Sequence, residues 1–90
     1  MSAQKTVQIS NRRGLHARAS AKFVTLASGL PAQVEVEKDG TRVVGTSIMG
    51  LMMLGAALGD EITIYATGDG AQAAVAALAE LVEARFHEAE

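Results

Sequence analysis

Three stretches of this chain alternate apolar and polar side chains, and they are interleaved with stretches whose apolar residues recur every three or four positions. The first period belongs to half-buried strands and the second to helices lying on one apolar face. Residues 6–10 place Val7 and Ile9 on one side, 33–38 place Val34 and Val36, and 60–66 place Ile62 and Ile64. Asp39-Gly40 is a strong two-residue hairpin signal, so 41–44 reads as the return strand. Helical spacing runs over 17–28 through Ala19, Phe23, Leu26 and Ala27, with Gly29 as the stop. A short apolar helix is expected over 48–54, and a last helix over 72–87 with Ala74, Val75, Leu78, Leu81 and Val82 as its stripe. The order is βαββαβα. One-sided helices must cover a one-sided sheet, so we expect an α+β, two-layer open-faced sandwich. Its sheet has four antiparallel strands, with three helices on one face. At 90 residues, 1–90 reads as a single domain.

Composition removes several functions. The net charge of -2 leaves no basic footprint for bulk nucleic-acid binding. One Tyr and two Phe are few for a base-stacking platform, which a rival reading as an RNA-binding or small-ligand α+β domain would need. With no cysteine and two widely separated histidines, neither a disulfide nor a metal site is expected, and no cofactor motif occurs. The N-terminus has no apolar core of a secretory signal, which points to a cytoplasmic protein. Residues 43–59 carry no charge, but they are fewer than the roughly 20 a membrane span needs and are broken by four glycines. They read as strand end, short helix and turn, not as a membrane insertion.

Chemistry can collect where the loop 11–14 runs into the first helix. His16 falls at that helix start, where backbone N–H groups lack intrahelical acceptors and carry partial positive charge. A phosphoryl group on His16 would meet those N–H groups, and Arg18 adds a donor fork suited to phosphate oxygens. The same positive field favours the neutral, nucleophilic ring. A histidine beside an arginine on a loop is also compatible with a solvated surface pair.

The segment GLHARAS at 14–20 closely resembles the active-site signature of the HPr family, the histidine-containing phosphocarriers of the bacterial phosphotransferase system. TSIMGLMMLG at 46–55 resembles that family's regulatory-serine segment. Their separation, the element order and the length match as well, so the resemblance spans essentially the whole chain. It implies that His16 is the phosphorylated histidine, modified on Nδ1. Ala17 and Arg18 would offer backbone N–H groups to the phosphate, with the Arg18 side chain as the active-site arginine. Ser47 would be the serine that a dedicated kinase phosphorylates in some bacteria, and Ile48, Met49 and Met52 the apolar patch that docks partners. The implied partners are enzyme I, IIA-type proteins and an HPr serine kinase/phosphorylase. The implied role is a monomeric carrier, not a turnover enzyme. A regulatory, nitrogen-type carrier uncoupled from sugar transport remains the alternative.

Two positions depart from the family pattern. Ala19 stands where a proline usually pre-sets the first helical turn, which should loosen the helix start slightly. Arg13 stands where a small polar residue could orient the imidazole, so the group that sets the tautomer is left open. In the second motif, Leu51 and Leu54 are the expected core pair, leaving Ile48, Met49 and Met52 outward. Ser47 would cap that helix whether or not it is modified.

Overall fold

The computed structural model describes residues 1–89. The element order is β1 (Ser2–Gln8), α1 (Ala17–Ser28), β2 (Gln33–Lys38), β3 (Thr41–Val44), α2 (Ile48–Met53), β4 (Glu61–Thr67) and α3 (Ala71–Glu83), the expected βαββαβα. All pairings are antiparallel, in the spatial order β1-β4-β2-β3. Opposite Ile64 stand Lys5 on β1 and Val36 on β2. Period-two alternation then sends Val34, Val36, Ile62, Ile64 and Ala66 to the helix side, where all are buried.

The helix layer fills that side with Phe23 and Ala27 of α1, Leu51 of α2, and Ala74, Val75, Leu78, Leu81 and Val82 of α3. The opposite face of the sheet is open and polar. There the Arg42 guanidinium lies 3.8 Å from the centre of the Tyr65 ring, whose hydroxyl donates to Glu37. The other two aromatics, Phe23 and Phe86, are fully buried. Among the described residues, no helix is long and apolar enough to cross a membrane.

Several boundaries differ from those expected: β1 ends at Gln8, not residue 10, α2 at Met53, not 54, and β4 and α3 start at Glu61 and Ala71, each one residue from the expected start. β1 starts at Ser2, not residue 6, because the whole segment pairs with β4 from Ser2 opposite Thr67 to Gln8 opposite Glu61. β4 runs one residue further, to Thr67, which also faces Gln33 of β2. α3 ends at Glu83, and Arg85, Phe86 and His87 follow with φ of 58°, 55° and 57°. This left-handed turn sends the chain back under α1. The hairpin behaves as its residues dictate: Asp39 and Gly40 both take positive φ, as a two-residue turn matched to strand twist requires.

Candidate functional site

The loop before α1 is seated on the segment that follows α2. The Leu15 N–H donates to the Ala56 carbonyl at 3.0 Å, and the Gly14 backbone passes so close that a Cβ there would lie 2.2 Å from the same oxygen. Gly14 also adopts φ of +62°, a conformation a side chain resists. Ser20, buried on the first turn, donates its hydroxyl to the Leu15 carbonyl at 3.2 Å and its N–H to the His16 carbonyl at 2.9 Å. These contacts hold His16 as the N-cap of α1.

At that position the Nδ1 atom of His16 accepts the Arg18 backbone N–H at 3.2 Å. The imidazole therefore does what a Ser or Asp does at an ordinary helix cap. Ala17 and Arg18 occupy the first turn, where N–H groups have no intrahelical acceptor. The site opens into a hollow of about 340 Å³, walled by Arg12, Arg13, Arg18, Lys22 and His87 besides His16. His16, Ala17 and Arg18 are thus brought together as expected. Ser47, which caps α2, and Ile48, Met49 and Met52, which lie on it, do not line this hollow.

His16 differs from expectation in one respect. Its side chain is only 16% exposed, because Glu88 covers the far edge of the ring and accepts a hydrogen bond from Nε2. The ring does not sit in a purely positive field. Glu88 is itself held: Asn11, fully buried, donates from Nδ2 to Glu88 Oε1 at 3.1 Å and to the Gly14 carbonyl at 2.8 Å. Burial alone would push the Glu88 carboxyl up, but hydrogen bonds from His16 and Asn11, with charge from His16 and Lys22, hold it below its ordinary value.

The left-handed turn delivers Glu88 to this place. A left-handed residue costs about 1–2 kcal/mol, and there are three in succession. Burying Phe86 returns at most about 3 kcal/mol, so that anchor alone does not hold the turn. The remaining support comes from Lys22, whose ammonium donates to the Phe86 carbonyl at 2.7 Å, and from the contacts of Glu88.

On α2, Ser47 caps the helix, its Oγ accepting the Gly50 N–H at 2.9 Å. Leu51 and Leu54 are buried, while Ile48, Met49 and Met52 face out. Met53, at 80% exposure, and Leu58, at 59%, extend the apolar surface beyond the expected residues. Met53 was legible, since a two-turn helix that buries Leu51 and Leu54 leaves little core for another residue.

A family model described as the PTS HPr component phosphorylation site matches residues 3–84. The chain belongs to the HPr family. The phosphocarrier protein HPr of Cupriavidus necator is 44% identical over 87 residues, spanning 97% of this chain and 98% of that protein. The phosphocarrier protein NPr of Shewanella violacea is 38% identical over 86 residues, covering 96% and 94%. The crystal structure of HPr-C-His from Thermoanaerobacter tengcongensis superposes with a TM-score of 0.92 at 42% identity, over 98% of this chain and 99% of that one. The four-stranded sheet with helices on one face is the HPr fold, and the family is one of phosphocarriers of the phosphotransferase system.

Proposed function

We propose that this protein is a phosphocarrier that takes a phosphoryl group on His16 Nδ1 from phospho-enzyme I and hands it to a IIA-type protein. The observation that carries this is the placement of His16 as the N-cap of a 12-residue helix, with Nδ1 turned onto the Arg18 N–H beside cationic side chains. An incoming phosphoryl group displaces that weak contact. Its oxygens then meet the first-turn N–H groups of Ala17 and Arg18 and the Arg18 guanidinium. The protein stays in the cytoplasm as a monomer and acts as a substrate of its partners, with no cofactor and no turnover of its own.

Incubated with enzyme I and phosphoenolpyruvate, the protein should take up one phosphoryl group that is stable in base, labile in acid and transferable to a IIA protein. A label that survives acid would be a serine ester and would contradict the reading. Supply by a sugar-type or a nitrogen-type enzyme I, compared in the same assay, assigns the branch.

The exposed side chains of α2 serve as the docking patch in this proposal. Methionine side chains adapt to more than one partner, and a clustered apolar patch favours an interface. A negative charge at Ser47 would stand at the edge of that patch. Ser47→Asp keeps a capping carboxylate, so the fold should persist. The charge must be desolvated on docking without a matching partner. We expect a raised apparent KM for His16 loading with a smaller change in maximal rate. Superimposable rate curves for the two proteins would make Ser47 a helix cap only.

A further inference from the structure

We propose that Glu88 is a positioning residue for phosphoryl transfer: it keeps the proton of His16 on Nε2, leaves Nδ1 as the attacking atom, and neutralises the imidazolium that transfer creates. The proposal rests on the phosphocarrier reading of His16 and names a group that assists it. Two contacts select the tautomer. Nδ1 accepts the Arg18 N–H, so it carries the lone pair, and Nε2 faces a carboxylate, which can only accept. The ring is held in one tautomer and one orientation from both edges.

Glu88 is oriented in turn. The Asn11 amide places its NH2 between two acceptors, the Gly14 carbonyl and Glu88 Oε1, and the reverse orientation would set oxygen against oxygen. Asn11 lies in the loop that leads to His16, so one side chain ties that loop to the carboxylate. Upstream of Glu88, three consecutive non-glycine residues hold positive φ, and the Phe86 side chain and carbonyl are pinned by the core and by Lys22. Strain of this kind persists where the surroundings over-determine the backbone. Here it brings a carboxylate onto the histidine ring. The charged neighbours facing the pair are Arg12, Arg13 and Arg18 from the loop and α1, Lys22 from α1, and His87 from the turn. Among the described lining residues Glu88 is the one acid.

The transfer step balances without a further reactant. The Nδ1 lone pair forms a bond to the phosphorus of a donor phosphohistidine. The donor's P–N bond breaks, and its electron pair returns to the donor ring nitrogen. His16 keeps its Nε2 proton and becomes a phosphorylated imidazolium, whose positive charge is then paired with the Glu88 carboxylate. Hydrogen bonds to charged groups are among the stronger ones, and this one gains strength as the ring charge develops.

Glu88→Gln tests the assignment. The carboxamide has one acceptor oxygen where the carboxylate has two. With that oxygen taken by Asn11, its NH2 faces Nε2 and drives the proton to Nδ1, the attacking atom. Nitrogen-15 NMR of the ring should show an unprotonated Nδ1 in the wild type and a shift toward protonated Nδ1 in the variant. Single-turnover loading by phospho-enzyme I should slow about ten- to a hundredfold, as expected for loss of a charge-assisted hydrogen bond at a reacting ring, with little change in KM. Glu88→Asp keeps both acceptor oxygens on a shorter stem and should recover part of the rate. Wild-type loading and an unchanged tautomer in Glu88→Gln would overturn the proposal, as would a slowed rate without a tautomer shift. The NMR readout needs no donor, so a wild type that takes up no phosphoryl group would sink the carrier reading and leave the tautomer result to be judged alone.

Discussion

Gly14→Ala is expected to destabilise the fold by about 3 kcal/mol or more, the largest stability effect of any change we predict. The new methyl would lie 2.2 Å from the Ala56 carbonyl oxygen and 2.8 Å from the Ala57 Cα. Both are backbone atoms, so no rotamer change relieves the clash. The left-handed φ adds about 1 kcal/mol, and moving the chain apart breaks the Leu15 to Ala56 hydrogen bond, worth about another. Gly40→Ala is the control: φ is also positive there, at +84°, but a Cβ meets nothing within 4 Å, so only the conformational cost applies. Urea titrations should show a much lower midpoint for Gly14→Ala than for Gly40→Ala. Similar midpoints would mean that the loop carrying His16 is not seated on the 55–57 segment.

Much of the architecture could be read from residue types alone. α1, β2 and β3 have the expected bounds because each ends in a local signal: Gly29 after the helix, Asp39-Gly40 between the strands. The two sides of α2 were also legible, since a helix of two turns can bury only residues three apart, here Leu51 and Leu54. The start of β1 was not. Residues 2–6 are nearly all exposed, so no alternation betrays a strand, and only pairing with β4 defines it.

The C-terminal error has a different cause. Leu78, Val82 and Phe86 stand four apart, so a continued helix would bury Phe86 as well as the observed turn does. Periodicity could not separate the two, and no Gly or Pro marks the left-handed residues.

The candidate site divides in the same way. His16, Ala17 and Arg18 are adjacent in the chain, and a helix start assembles them locally. Glu88 is 72 residues from His16, and no local pattern brings it there. Asn11 read as an ordinary loop residue, although it is fully buried. Arg13, in place of a small polar side chain, left the ring's orienting group unassigned, and the contact of Glu88 with Nε2 fills that gap.

The second large effect is total loss of phosphoryl uptake in His16→Ala. The alternative nucleophile is concrete, because His87 lines the same hollow beneath the same cationic side chains. His87 is the last residue of the left-handed turn, whereas His16 caps α1 with Nδ1 directed onto its first turn. Only His16 has first-turn N–H groups placed to receive the transferred oxygens. His16→Ala gives up no core side chain but loses the α1 cap and a contact of Glu88, at a cost of about 0.5–2 kcal/mol for the cap, so a cooperative melt at a somewhat lower temperature would confirm its fold. The decisive measurement is the acid-labile phosphoryl content of wild type, His16→Ala and His87→Ala after exposure to enzyme I and phosphoenolpyruvate. Full uptake by wild type and His87→Ala with none by His16→Ala is the predicted result. Uptake that survives in folded His16→Ala and vanishes in His87→Ala would contradict it.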